Sequence, residues 1–200
     1  MPLTFLDVAS SRAAMACDGQ SLGELFLENT KLHPTLATKP GKPVSASGKS
    51  YPFVPRVPVP AALAPLLAAP SAEVMMPLEL YLVAQDGEDG QDGVYHYDGG
   101  SRELEILSGA ETPVDTSTLF PKDVAVPSEP VLIIVTGVPL RVTTMAGERG
   151  YRTMLLQAGR VAEAMHARAI DRFFDDRVSD LIGVDGVNEL PLVILAVGLG

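Results

Sequence analysis

Two short, unbroken apolar runs constrain this chain more than any other feature: VLIIVTGV, from Val131 to Val138, and PLVILAVG, from Pro191 to Gly198. Both are rich in branched aliphatic residues and neither alternates with polar positions, the pattern of strands covered on both faces. They predict two central strands. Between them lies the longest helical pattern, Gly150 to Phe174, in which Met154, Leu155, Ala158, Val161, Ala162, Met165 and Ala169 recur at three- and four-residue steps. Its other face carries Arg152, Gln157, Arg160, Glu163 and Arg168. So apolar a stripe predicts a core helix laid on a sheet. A second helix, Asp176 to Ile182, leads through GVDG into the last strand.

Upstream, LELYLVA (Leu78 to Ala84) and GVYHYD (Gly93 to Asp98) flank the polar, glycine-rich QDGEDGQDG and predict a hairpin. SLGELFLENTKL, Ser21 to Leu32, predicts a short amphipathic helix with Ser21 as N-cap and Glu24 three residues on. From His33 to Pro70 the chain holds nine prolines, each lacking a backbone donor and restricting its neighbour, so an extended arm is expected there. The expected organisation is an N-terminal helix and proline-rich arm over residues 1–70, then a single globular unit over residues 71–200.

Composition narrows the partners. With 200 residues, 46% hydrophobic and 20% charged, the chain can bury one substantial core. Its net charge of -10 opposes binding to a phosphate backbone, so nucleic acid is not an expected partner. Cys17 is the single cysteine, which leaves no internal disulfide. A reducing, cytoplasmic setting is expected. The N-terminus lacks a basic start followed by an apolar core, and no run reaches the roughly 18 apolar residues of a membrane span, so neither export nor membrane insertion is expected.

Generic chemistry is sparse. ASGKS (Ala46 to Ser50) has part of a phosphate-loop pattern, but Pro43 stands where its first glycine belongs. His33, His96 and His166 have no ligand spacing and read as ordinary surface or core histidines, so no metal site is expected. Asp175 and Asp176 suit the start of the following helix, where carboxylates complement the dipole. No carboxylate pair forms an acid–base couple, and no catalytic residue is assigned.

Two longer stretches carry a family resemblance. One runs from Pro70 to Leu107 and contains PLELYLVA and GVYHYD; the other runs from Gly147 to Gly198 and opens on GERGYR. Together they resemble the SagB-type dehydrogenases of the nitroreductase superfamily, FMN enzymes that oxidise azolines to azoles in ribosomally made peptides. GELFLENTKLHP near the N-terminus is similar to the start of such proteins, with Leu27 where histidine is usual. The resemblance implies an α+β fold, with a mixed, mainly antiparallel sheet flanked by helices and the Tyr151 to Phe174 helix at a dimer interface.

Measured against that family, the chain departs where the flavin chemistry resides. The Arg-Arg-Ser-x-Arg segment that grips the FMN phosphate is missing before Pro70, with only Arg56 nearby, and no glycine-rich turn follows the long helix. The Lys-Tyr pair that supplies the family's base is replaced by Met145 and Ala146, and a helix histidine by Arg160. What remains is Pro70, Ser71 and Ala72, which by the resemblance reach across a dimer to an FMN bound by the other subunit, although Glu73 stands where glycine is frequent. The expectation is therefore a non-catalytic subunit paired with an active flavin-bearing homologue. FMN would be held mainly by that partner, with a precursor peptide as a further ligand. A self-sufficient, homodimeric FMN-dependent azoline dehydrogenase is the alternative, and a peptide-binding module using the proline arm is a third reading.

Overall fold

The computed structural model of the chain describes residue 26 and residues 48–85, 92–109, 114–125 and 127–198. Seven strands form one sheet: β1 (Arg56–Pro58), β2 (Leu78–Ala84), β3 (Gly93–Asp98), β4 (Glu103–Ser108), β5 (Val131–Gly137), β6 (Arg168–Ile170) and β7 (Leu190–Val197). Their order is β1-β4-β3-β2-β5-β7-β6, and every neighbouring pair is antiparallel. The helices are α1 (Ala64–Ala68), α2 (Ala72–Met75), α3 (Leu140–Ala146), α4 (Arg149–Ala164) and α5 (Asp175–Ile182), with a 3-10 turn at Thr116–Leu119. This is the expected α+β architecture. The two apolar runs are interior strands β5 and β7, and β2 and β3 pair with Tyr81 opposite His96 as the hairpin requires.

Side-chain alternation splits each strand between two cores. On β2, Leu78, Leu80 and Leu82 join Ile133, Val135 and Leu195 under Met154, Ala158 and Val161 of α4. Tyr81 and Val83 face the opposite layer, with Ile134, Ile194, Phe120 and the α5 residues Val178 and Ile182. Asp175 and Asp176 occupy the first turn of α5, where the sequence placed them.

Three expectations change. The long helix does not run to Phe174: α4 is capped at Met165, and His166 adopts a positive φ of 49°, the conformation that ends helices. Ala169 therefore lies on edge strand β6, where it is exposed and only Ile170 is buried, so its place in the apolar spacing was a coincidence of composition. Leu155 is exposed at 48%, so the stripe's buried face is narrower than the pattern implied. Finally, the last part of the expected arm is packed: Arg56–Pro58 pairs with Glu103–Glu105 of β4, and Leu63 and Leu67 enter the core. Prolines tolerate an edge strand and a first helical turn, which is where Pro58 and Pro65 stand. The helix expected from Ser21 to Leu32 lies outside the described residues except for Phe26, which is helical.

The GERGYR motif has a structural role of its own. Gly147, with φ of 59°, caps α3, and its N–H donates to the Thr143 carbonyl at 2.8 Å. A side chain on Gly150 would stand 2.7 Å from the Val142 carbonyl carbon and 2.8 Å from the Thr143 nitrogen. Only glycine lets α3 and α4 meet this closely.

Candidate ligand cleft and its buried polar support

The second face of the sheet is polar at one end, because β2, β3 and β4 each place one charged or ionisable residue among apolar neighbours. These are Glu79, His96 and Glu105, all 4% exposed or less. The His96 ring bridges the two carboxylates, with Nδ1 2.8 Å from Glu105 Oε2 and Nε2 3.3 Å from Glu79 Oε2. Beside them Tyr81 donates its hydroxyl to Glu189 Oε1 at 2.8 Å, and Thr136 Oγ1 donates to the same oxygen at 2.7 Å.

A short strap, Gly48 to Tyr51, covers this layer. The Lys49 N–H donates to Glu79 Oε1 at 2.6 Å, and the Tyr51 N–H to both oxygens of Glu105 at 3.0 and 3.1 Å. Lys49 Nζ reaches Glu189 Oε2 at 3.0 Å and the Tyr81 hydroxyl at 3.1 Å. Arg56 pairs with Glu105 at 2.7 Å and Arg141 pairs with Glu79. Three carboxylates thus face three cations, which is how buried charge is tolerated. Burial pushes both Glu79 and Glu105 upward, but their bonds to His96, together with Arg141 and the Lys49 amide for Glu79 and the Tyr51 amide and Ser50 for Glu105, outweigh it. Both carboxyls are held below the ordinary range. Burial, with the charge of Glu189 next, drives the Tyr81 hydroxyl far up.

Against this support lies a cleft of about 380 Å³. Its apolar wall comes from Leu67, Pro70, Ala72, Met75, Met76 and Tyr97, and its polar groups are Glu79, Arg102 and Arg141. Arg141 is anchored, because besides Glu79 it reaches the carbonyls of Leu78 at 3.3 Å and Met76 at 3.5 Å. Arg102 ends the turn joining β3 to β4 with a φ of 59°, and its N–H donates to the Asp98 carbonyl at 2.7 Å.

Of the residues singled out by sequence, Pro70 and Ala72 line this cleft, whereas Ser71 caps α2, its hydroxyl accepting the Val74 N–H at 3.4 Å. Arg56 is bound to Ser50, Asp98, Glu103 and Glu105. Lys49 and Ser50, the end of ASGKS, belong to the strap. His96 is a core histidine, and His33 lies outside the described residues. Sequence reasoning missed Arg102, Arg141 and the Glu79–His96–Glu105 layer. The signal was present: charged residues on the inward phase of otherwise apolar strands are rare unless paired.

The arrangement matches solved structures. A provisional nitroreductase from Anabaena variabilis superposes with a TM-score of 0.73 at 22% identity, over 88% of this chain and 46% of that one. This is a nitroreductase fold. A chain of the Escherichia coli microcin synthetase McbBCD complex, with truncated pro-MccB17 bound, shares the fold at a TM-score of 0.54 and 17% identity, over 98% of this chain and 84% of that one. In sequence, a provisional nitroreductase of Methanocaldococcus jannaschii is 24% identical over 138 residues, 64% of this chain and 68% of its own length. No protein-family model matches the chain. The chain spans less than half the length of the Anabaena nitroreductase. Among the described residues no helix is long and apolar enough to cross a membrane.

Proposed function

We propose that this chain is a non-catalytic, SagB-like subunit that pairs with an active flavin-bearing homologue in the oxidation of azolines to azoles in a ribosomally made peptide. One observation carries the reading: the cleft has a wall and cations suited to a ligand but, among its described lining residues, no group fitted to take a proton. Glu79 is the only carboxylate among its described lining residues, and it is bound by the Lys49 amide, Arg141 and His96 and held below its ordinary range. A general base works best with a pKa near the working pH. Met145 and Ala146, at the end of α3, offer none either.

The cleft fits one side of an FMN. Its volume of about 380 Å³ lies near the lower end of ligand pockets, and guanidinium groups beside an apolar wall suit a flat ring with an anionic arm. Pro70, Ser71 and Ala72 would contact a flavin held mainly by the partner. Bound there, the flavin supplies the hydride acceptor, and this chain shapes the site and excludes water. The likeness to a chain of the McbBCD complex supports a role inside an assembly that handles a peptide.

The test is the visible spectrum and native mass of the chain, alone and co-expressed with a full-length flavin-bearing homologue. A colourless chain that joins a yellow heteromer is expected. Stoichiometric FMN and azoline oxidation by the chain alone would replace this reading with that of a self-sufficient homodimeric dehydrogenase.

A further inference from the structure

We propose that two copies of this chain exchange straps, the Gly48 to Tyr51 segment of each docking on the buried carboxylates of the other and setting its Lys49 against that copy's Glu189. The strap lies on the sheet face opposite α4, because Tyr81 faces the layer away from the β2 leucines that α4 covers. The exchange thus uses a different surface from the pairing proposed above and stands apart from it.

The strap is held as a bound peptide is held. It belongs to no helix or strand, and its contacts are amide-to-carboxylate bonds and one lysine in an acidic niche. Besides the Lys49 and Tyr51 amides on Glu79 and Glu105, Ser50 Oγ donates to Glu105 Oε1 at 3.0 Å, and the Tyr51 ring meets the His96 ring edge-on at 5.2 Å. The Lys49 ammonium sits 3.0 Å from Glu189 Oε2 and 3.1 Å from the Tyr81 hydroxyl. All these partners follow Pro55 in sequence, so a second copy presents the same groove with the same complementary charge. The groove is costly to leave empty, because Glu79, Glu105 and Glu189 are buried and would each lose a donor. A strap that departs must therefore be replaced by a segment of like chemistry, and the strap of another copy supplies every bond again.

The connection to the sheet permits the exchange. Downstream, the Pro55 carbonyl accepts the Ile106 N–H at 2.9 Å and fixes the chain to β4. Between that anchor and Tyr51 lie only Pro52, Phe53 and Val54, in a turn closed by the Val54 N–H on the Tyr51 carbonyl at a long 3.3 Å. Opening so short a hinge gives up little, the condition under which swapping is favoured. Phe53 adds a gain that the closed chain lacks. It is 97% exposed at the tip of the turn. In an isologous pair the two hinges pass each other at the two-fold axis, which gives each Phe53 the other as an apolar neighbour.

The test uses the full chain. Unlabelled and 15N-labelled protein are unfolded together, refolded, concentrated and treated with a water-soluble carbodiimide, which joins a touching ammonium and carboxylate as an amide. Monomer and dimer are then separated and digested. The expected result is a Lys49–Glu189 link between one labelled and one unlabelled peptide in the dimer, with only like-labelled links in the monomer. A chain that stays monomeric when concentrated would overturn the proposal. So would a dimer whose links are all like-labelled, which would mean a pair made through another face with each strap closed on its own chain. Phe53→Ser should leave the thermal midpoint of the monomer unchanged while weakening the dimer at least about tenfold, since burying a phenylalanine is worth that much or more. A dimer of undiminished affinity in this variant would also sink the idea. The isotope readout needs no variant, so it does not depend on how any substitution folds.

Discussion

Tyr81 shows how much rests on single polar atoms in this sheet. It is fully buried on a central strand, and its hydroxyl meets Glu189, Lys49 and Tyr51 at 2.8, 3.1 and 3.3 Å. Tyr81→Phe keeps the ring but leaves Glu189 short of a donor in a buried place, and it should cost about 1–3 kcal/mol, read as a lower denaturant midpoint with an unchanged slope. The carboxylates add a pH dependence with a definite sign. Glu79 and Glu105 are held below their ordinary value of 4.5, so they contribute stability that is complete above that value and lost as pH falls through the lowered folded values. Thermal stability should therefore fall in acid together with the protection of the Lys49 and Tyr51 amides relative to their intrinsic exchange at each pH, and Glu105→Gln should flatten that acid limb. An acid limb unchanged in this variant would mean that the carboxylates lie off the acid-unfolding route.

At the scale of elements, the α3–α4 corner is a tight backbone junction. Because a side chain on Gly150 would meet backbone atoms of Val142 and Thr143 rather than a movable side-chain tip, Gly150→Ala should destabilise by about 1–3 kcal/mol despite alanine's better helix propensity. Urea unfolding decides it, and a stabilised variant would refute the close approach. This junction also shows what the sequence could and could not reveal. β2, β3, β5 and β7 were readable because alternation or continuous apolarity states directly which faces are covered. The end of α4 was not, because Ala169, exposed on strand β6, happens to extend the helical spacing, while the actual stop is a positive φ at His166 rather than at glycine. Edge strand β1 was hidden by prolines that read as an arm. The cleft was half legible: Pro70 and Ala72 were marked by resemblance, but Arg102 and Arg141 are 39 positions apart in sequence and come to line one cleft through the register of β2 with its neighbours.

For the whole molecule, the question is which surface a partner would cover. On the outer side of α3 and α4, Leu140, Leu155 and Leu156 are exposed at 64%, 48% and 71%. Leu156 lines a shallow surface with Gly159, Arg160 and Glu163, where an added side chain on Gly159 would touch nothing within 4 Å. Met165, by contrast, is 2% exposed within the core, so an acidic residue there would unfold the chain and say nothing of assembly. Leu156→Asp separates the two effects. Its monomer stability should change by less than about 0.5 kcal/mol, as for a solvent-facing site, whereas a pairing made through this face should weaken by about tenfold or more because a carboxylate would be buried without a partner. Native mass of the co-expressed pair, read beside the thermal midpoint of the isolated chain, distinguishes these outcomes. A pair that survives Leu156→Asp intact would move the interface elsewhere on the molecule, with the cleft side of α2 and the β3–β4 turn as the next surface to vary.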